Sequence, residues 1–229
     1  MLKSLCFAII VTSVVSLTSC AILRQYWRPS IQQQLFGDGI PRVTGTQHGH
    51  PGDPLNVGLV GIEADIDRVM KASTWITAVP LSLKNDFRIG LDTVLDRPFD
   101  DAPVSELFLF GRHEDLAFEQ QVGHSPRHRH HVRLWRSEVT SEDGRPIWIG
   151  AATYDASVGF SHVNGTITHH TASDIDSERN YIFDCIEKAK GFTKTHKIDG
   201  FHVKLVGRNG GGDPWQTDGA LWVGELTSN

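Results

Sequence analysis

The chain has 229 residues, of which 39% are hydrophobic and 21% charged, and its formal net charge at pH 7 is −5. This balance is typical of a globular protein with a real hydrophobic core. It does not fit a basic nucleic-acid binder, so we expect no nucleic-acid partner.

The N-terminus has the layout of a secretory signal peptide. Lys3 precedes an apolar run over residues 5–17 that is too short to cross a membrane. The run closes on Leu17-Thr18-Ser19-Cys20, which resembles a bacterial lipoprotein cleavage site. We therefore predict that residues 1–19 are a signal peptide that is removed. An ordinary signal peptide with an incidental cysteine is the alternative.

Lipoprotein processing would leave Cys20 as the acylated N-terminus, carrying palmitate-type chains that anchor the protein to a membrane. Ala21 follows the cysteine, and the absence of Asp there is typical of outer-membrane sorting. The sequence thus predicts a lipid-anchored protein of the bacterial cell envelope, at the outer membrane and facing the periplasm.

A third cysteine, Cys185, has no partner for a disulfide once Cys6 leaves with the signal peptide and Cys20 is acylated. It lies among Ile182, Phe183 and Ile186 in a helical pattern. We expect a buried, inert thiol rather than a nucleophile.

The first half of the mature chain passes from an irregular segment into a regular fold. Residues 20–53 are rich in Gln, Gly and Pro and predict a tether and an irregular lead-in to a domain over residues 54–229. A strand at residues 55–61 precedes a helix that extends to Trp75. A second helix is expected near residues 83–95 and a strand at 107–110.

Strands dominate the second half. Residues 131–135 and 146–154 predict a hairpin around the turn at 142–145, followed by a short strand at 165–169. A helix over residues 174–190 has acidic residues in its first turn and lysines in its last, and two strands follow at 194–198 and 221–226. We therefore predict a single α+β domain with a mostly antiparallel sheet and about three helices.

A first polar cluster occupies residues 127–133. In a strand, His128 and His130 lie on one face while His131 and Arg133 lie on the other, so at most one face carries a site. Imidazoles beside a carboxylate suit Zn, Fe or Mn, whereas a solvated basic strand is the alternative.

A second cluster joins Asp155 to His169 and His170, with the acidic helix start at Asp174 nearby. These residues could form a metal pocket, or a site in which Asp155 orients a histidine as general base. The simpler interpretation is that Asp174 caps the helix and the histidines end a strand.

A third cluster covers residues 207–213, with three consecutive glycines between Asn209 and Asp213. Such a loop predicts an anion cradle of backbone amides, with Arg208 beside it. It is not a nucleotide P-loop, because no Lys-Ser or Lys-Thr follows the glycines. A flexible turn is the alternative.

Several segments between about Gly52 and Leu226 together resemble the LssY-like C-terminal domain family. This bacterial domain also occurs attached to membrane proteins of the DedA and lipid-phosphatase types, and the resemblance implies no particular activity. The segments are GDPLN (52–56), PVS (103–105), LFLFGR (107–112), DLAFE (115–119), HHVRLW (130–135), WIGAATYD (148–155), THH (168–170), GRNGGGD (207–213) and TDG (217–219).

Two functions stay open at this point. The first is an accessory or binding module for an anionic envelope ligand, such as a phosphorylated lipid headgroup. The alternative is a metal-assisted hydrolase acting on a phosphoester; the sequence decides neither the metal nor any cofactor. The predicted ligand-binding residues are His130, His131, Arg133, Asp155, His169, His170, Arg208, Asn209, Gly210, Gly211 and Asp213.

Overall fold

The structure is a computed structural model that describes residues 31, 35, 40–78, 106–123, 128–160 and 167–228, with the side chains of 158–160 and 167–168 left out. The predicted signal peptide, Cys20 and the helix expected near residues 83–95 lie outside the described residues. Among the residues described, no helix is long and apolar enough to cross a membrane.

The described residues contain thirteen strands and two complete helices. The helices are α1 (Glu63–Ala72) and α2 (Ile175–Lys188). The strands are β1 (Val43–Thr46), β2 (Pro51–Pro54), β3 (Val57–Val60), β4 (Ile76–Thr77), β5 (Leu107–Phe108), β6 (Leu116–Gln121), β7 (Arg129–Thr140), β8 (Pro146–Phe160), β9 (Ile167–Thr171), β10 (Phe192–Ile198), β11 (Val206–Arg208), β12 (Pro214–Gln216) and β13 (Leu221–Leu226).

An eight-stranded sheet forms the body of the domain. Its order is β10-β13-β3-β8-β7-β6-β4, and β9 pairs with the far end of β8. Only the β13–β3 pair among these neighbours is parallel. The smaller units are a three-stranded sheet, β2-β1-β5, and the β11–β12 hairpin. The predicted α+β class with a mostly antiparallel sheet is confirmed, but the described residues contain two complete helices where about three were predicted.

The β7–β8 hairpin is the longest pairing, and it forms where the sequence predicts it. Ser141 donates its backbone N–H to the Arg145 carbonyl over 2.9 Å, and Gly144 turns the chain at a φ of 87°. A positive φ is a conformation that glycine adopts without a steric cost. The register shifts once between Arg136 and Thr140, and beyond this irregularity Arg129 lies opposite Asp155 and His131 opposite Thr153.

The main sheet has two apolar faces, each buried against a different layer. Helices α1 and α2 cover one face, where Ile66, Met70, Ile182 and Phe183 contribute to a single core cluster with Val132. Asp174 caps α2 by accepting hydrogen bonds from the backbone N–H groups of residues 176 and 177, as predicted. The apolar sides of two amphipathic helices therefore bury this face of the sheet.

The small sheet covers the opposite face. Leu107 of β5 belongs to the second core cluster, together with Trp135 of β7, Ile149 of β8 and Val223 of β13. The predicted strand at residues 107–110 is present as the short β5.

Strands β1 and β2 correct one expectation, because residues 43–54 were predicted to be irregular. Strand β2 contains two prolines and a glycine, so its sequence shows no alternation. It lies at the edge of its sheet, where a missing N–H is tolerated. Gly52 is needed there, since a Cβ at this position would lie 2.4 Å from the Thr44 hydroxyl oxygen.

Candidate functional site

A polar pocket lies on the face of the main sheet that the small sheet covers. From the hairpin end of β7 towards its start, this face carries buried Trp135 and then Arg133, His131 and Arg129. Strand alternation places these residues, two apart, on the same side. The face is thus apolar near the hairpin turn and becomes polar towards the other end.

We call this cavity the Asp155 pocket, and its volume is about 40 Å³. A cavity of that size holds roughly three water molecules or one small ionic group. Residues from β2, β5, β7, β8, β9 and the glycine loop form its wall: Asp53, Leu107, His131, Arg133, Thr153, Asp155, His169, Thr171, Asn209, Gly210, Gly211 and Asp213.

Asp155 is the centre of the pocket and is 1% exposed. Its Oδ2 accepts a hydrogen bond from Arg129 Nε over 3.0 Å and lies 3.0 Å from His131 Nε2 and 3.2 Å from His169 Nδ1. Burial raises the pKa of Asp155 to about 6, although the charge of Arg129 opposes this shift. The carboxyl group therefore takes up a proton near pH 6.

A second carboxylate, Asp213, ties the glycine loop to β9. His170 Nδ1 lies 2.6 Å from Asp213 Oδ1, and the Thr171 backbone N–H donates to the other oxygen over 3.2 Å. Asn209 Nδ2 donates to Thr171 Oγ1 over 3.1 Å and to Asp53 Oδ1 over 3.4 Å. The loop thus closes the pocket against two strands that lie far away in the sequence.

The pKa of Asp53 is also shifted from its ordinary value. Burial raises its pKa above the ordinary value, while the charge of Arg133 and the hydrogen bond from Asn209 act against the shift. Arg133 is 8% exposed, and its charge acts to lower the pKa values of both Asp53 and Asp155. The pocket therefore combines buried positive and negative charges.

The glycine loop does not form the predicted amide cradle at Gly211, Gly212 and Asp213. The N–H groups of Gly211 and Asp213 donate to Asn209 Oδ1 over 3.1 and 2.9 Å, and that of Gly212 donates to the Asn209 carbonyl over 2.9 Å. Because Asn209 accepts all three bonds, these amides stabilise the loop itself. Arg208 is exposed and donates to the Gly212 carbonyl over 2.7 Å, so it too holds the loop rather than lining the pocket.

The structure of the loop explains why glycine is needed at two of the three positions. A Cβ at Gly210 would lie 2.4 Å from Thr46 Cγ2 of β1, and Gly212 has a φ of 89°. At Gly211 an added Cβ would find ordinary contact distances of 3.5 and 3.8 Å. Close packing and a left-handed turn therefore explain most of the glycine run.

His130 lies on the opposite face of the sheet, beneath α2. Its Nδ1 is 2.7 Å from Glu178 Oε2, and its ring stacks on Tyr181 with centroids 3.8 Å apart. Burial raises the pKa of Glu178, and the hydrogen bond from His130 opposes that shift. The alternation argument predicted this separation, and it removes His130 from the set that meets in the pocket.

Of the predicted residues, the structure brings His131, Arg133, Asp155, His169, Asn209, Gly210, Gly211 and Asp213 together, with His170 bonded to Asp213. Sequence reasoning missed Asp53, Arg129, Thr153 and Thr171. Arg129 was detectable, because it lies two residues before His131 on the same face of a strand. Asp53 was assigned to the lead-in, although it lies in the GDPLN segment that carries part of the family resemblance.

The predicted metal pocket is compared with the side chains that the structure describes. Within residues 40–78, 106–123, 128–160 and 167–228, no group of three or more His, Cys, Asp or Glu is arranged to hold a metal ion. Nitrogen atoms of Arg129, His131 and His169 lie 3.0, 3.0 and 3.2 Å from Asp155 Oδ2. What the arrangement can do chemically is orient two imidazoles and present buried donors to a small polar group.

Comparison with known proteins identifies the family. The family model described as LssY C-terminus matches residues 38–221, which is well over half of the chain and includes every residue that lines the Asp155 pocket. The chain belongs to the LssY C-terminus family. The resemblance noted from the sequence motifs is confirmed. No curated protein matches this chain. No solved structure matches it either.

Proposed function

We propose that this LssY C-terminal domain binds a small anionic ligand, such as the phosphate of a lipid headgroup, in the Asp155 pocket. The observation that carries the proposal is the convergence of Arg133, His131 and His169 on one buried cavity. Charge-assisted hydrogen bonds from arginine and histidine are the strong interactions with which proteins hold phosphate.

The carboxylates of the pocket are compatible with such a ligand. A phosphate monoester has a second pKa of about 6, so near neutral pH it presents acceptor oxygens and, in part, an O–H donor. Arg133 and the imidazoles would meet the oxygens, while Asp53 or Asp155 would accept the ligand proton. The cavity of about 40 Å³ admits a group of this size but not a large ligand.

The location of the protein is part of the same proposal. The apolar run that ends at Cys20 supports a lipoprotein whose acyl chains hold it in the envelope, at the outer membrane and facing the periplasm. The membrane itself then supplies lipid headgroups, of which those with a terminal phosphate monoester match the chemistry of the pocket.

Isothermal titration calorimetry of the full acylated chain in detergent tests the binding site. The probes are inorganic phosphate and phosphoethanolamine, added to the wild type, Arg133→Gln and the matched control Arg208→Gln. We expect Arg133→Gln to weaken binding about tenfold or more, because it removes charged hydrogen bonds, and Arg208→Gln to stay within about twofold.

Thr153→Val serves as a second pocket variant in case Arg133→Gln unfolds, and circular dichroism checks each fold. Wild-type protein that binds neither probe would refute the proposal, as would equal losses in the two arginine variants.

A second candidate function rests on the position of the two imidazoles. His131 Nε2 and His169 Nδ1 lie 3.0 and 3.2 Å from Asp155 Oδ2, and a carboxylate that hydrogen-bonds an imidazole can orient it for proton transfer. A phosphoester hydrolase could use one to take a proton from water as the water attacks phosphorus, and the other to protonate the leaving ester oxygen.

Hydrolysis of p-nitrophenyl phosphate tests this alternative, with and without added Zn²⁺ or Mn²⁺, alongside metal content by elemental mass spectrometry. Turnover that disappears in both His131→Ala and His169→Ala would establish the hydrolase. Phosphate binding without turnover favours the binding module.

A further inference from the structure

The Asp155 pocket contains more carboxylates than guanidinium groups. Asp53, Asp155 and Asp213 all line it, and Arg133 is the only arginine or lysine among the lining residues that the structure describes. Arg129 donates a hydrogen bond of 3.0 Å to Asp155 and adds a second positive charge. An anion that can only accept hydrogen bonds would meet carboxylate oxygens in such a site and offer them no donor.

Two of these carboxylates already have close donors within the protein. Arg129 Nε and two imidazole nitrogens lie within 3.2 Å of Asp155 Oδ2. Asp213 lies 2.6 Å from His170 Nδ1 through one oxygen and accepts the Thr171 backbone N–H over 3.2 Å through the other. Groups on β7 and β9 therefore engage both acids.

Asp53 has fewer hydrogen-bond partners. Among the described residues, its carboxylate accepts one hydrogen bond, from Asn209 Nδ2 over a long 3.4 Å. Burial raises the pKa of Asp53 above its usual value, although the charge of Arg133 opposes this shift. Because a carboxylate can accept about four hydrogen bonds, Asp53 is the acid of the pocket with the most capacity to accept one from a ligand.

Strand β2 fixes the position of Asp53. The Asp53 carbonyl oxygen accepts a hydrogen bond from the Thr44 hydroxyl over 2.9 Å, and the next residue, Pro54, lies opposite Val43 of β1. Asp53 therefore reaches the pocket from the small sheet, whereas Arg133 belongs to β7 of the main sheet. A ligand in the pocket would meet an acceptor from one sheet and a cation from the other.

We propose that the Asp155 pocket selects a phosphate monoester that carries one proton, and that Asp53 accepts the hydrogen bond from its P–O–H group. This inference rests on the proposed phosphate-binding function and names Asp53, rather than Asp155, as the acceptor. Arg133 and the imidazoles contact the other oxygens. Sulfate has the same shape but no proton, and a phosphodiester has no P–O–H group, so both would leave Asp53 facing an oxygen without a donor.

Isothermal titration calorimetry of the full acylated chain in detergent tests the selection directly. At about pH 6, where about half of a phosphate monoester carries a proton, inorganic phosphate is compared with sulfate. Dihexanoyl phosphatidic acid, a monoester, is compared with dihexanoyl phosphatidylglycerol, a diester. We expect wild-type protein to bind the first member of each pair at least about tenfold more tightly than the second.

Substitution of Asp53 tests its assignment as the acceptor. Asp53→Asn replaces one acceptor oxygen by an N–H donor, which sulfate can accept, so the preference for phosphate over sulfate should fall to within about threefold. Asp199→Asn is the matched control, because Asp199 is exposed and does not line the pocket. Asp155→Asn should keep the preference, since Asp53 remains. Circular dichroism checks each fold, and Asp53→Ser is used if Asp53→Asn does not fold.

Each failure has a different result. Wild-type protein that binds neither phosphate nor sulfate would refute the proposed function itself. Equal binding of the two anions would leave phosphate binding in place and overturn the selection alone. A preference that is lost in Asp155→Asn but kept in Asp53→Asn would show that Asp53 is not the acceptor. Tighter binding of phosphatidic acid than of inorganic phosphate would identify a lipid as the source of the monoester, and weaker binding a soluble phosphate.

Discussion

The two faces of β7 place adjacent histidines in different environments. His130 contacts Glu178 at 2.7 Å beneath α2, where the Tyr181 ring stacks on it. His131 contacts Asp155 at 3.0 Å on the other face, beside a cavity that the glycine loop closes. Both are buried histidine–carboxylate pairs, so the residue types do not distinguish a site from a structural contact.

The surroundings of each pair make the difference. The Glu178 pair lies next to an aromatic and apolar core, which favours a role in holding α2 on the sheet. The Asp155 pair shares its pocket with Asp53, Asp213 and Arg133, and burying so many charges costs stability. Such a cost at one end of a sheet is typical of a functional site.

The largest expected effect is a loss of stability on substitution of His130. His130→Ala removes the imidazole from Glu178, which is 4% exposed, and should lower the free energy of unfolding by about 3 kcal/mol because a buried pair is broken. Urea denaturation measures this change. Phosphate affinity should stay within about twofold of wild type, whereas His131→Ala should lose binding. Equal effects of the two variants on binding would contradict the comparison.

The pH dependence of stability tests the environment of Asp155. Its pKa in the folded state is about 6, above the ordinary value of 3.8, so the protonated form is favoured by folding. The associated stability is present below pH 4 and is lost as the pH rises through 6, by about 2–3 kcal/mol. Asp155→Asn should flatten this decrease in urea unfolding measured between pH 4 and 7.

Asp115 is a control, because its pKa is shifted in the opposite direction to that of Asp155. Burial raises its pKa, but the hydrogen bonds and charge of Arg112 and Arg136 outweigh burial and hold it below the ordinary value. Its contribution to stability is therefore lost as the pH falls, and Asp115→Asn should leave the decrease between pH 4 and 7 in place. A similar slope for wild type and Asp155→Asn would show that Asp155 does not titrate as inferred.

The glycine loop offers a matched pair of small substitutions. Gly210→Ala places a methyl group against Thr46 and should cost about 1–2 kcal/mol, because the loop or β1 must move. It should also weaken phosphate binding, since the loop closes the pocket. Gly211→Ala has room for the methyl group, so its thermal stability should change little. Thermal denaturation measures the stability of the two variants, and calorimetry measures their phosphate affinity. Equal losses of stability in both variants would contradict the packing explanation.

The smallest expected effect concerns an acid outside the pocket. Asp174→Ala removes the cap of α2 and should lower the free energy of unfolding by about 1 kcal/mol. Phosphate affinity should not change, because Asp174 does not line the pocket. A large loss of affinity in this variant would link the helix face to the site and weaken the contrast between the two sides of the sheet.

Much of the fold could be predicted because its signals are local. The β7–β8 hairpin follows from strand periodicity around a Glu-Asp-Gly-Arg turn, and α2 follows from its cap and its buried stripe. Strands β1 and β2 could not be predicted, because a proline- and glycine-rich segment becomes a strand only through pairing with its neighbours.

The sequence by itself determined which side of β7 each histidine faces, since side chains alternate in any strand. Only the tertiary structure decided which acids meet them: Asp53 and Asp213 join the pocket from segments far away in the chain. It also decided what the glycine loop does, because Asn209 satisfies the amides that the sequence suggested for a ligand. Local periodicity is encoded in neighbouring residues, whereas a pocket depends on contacts between distant ones.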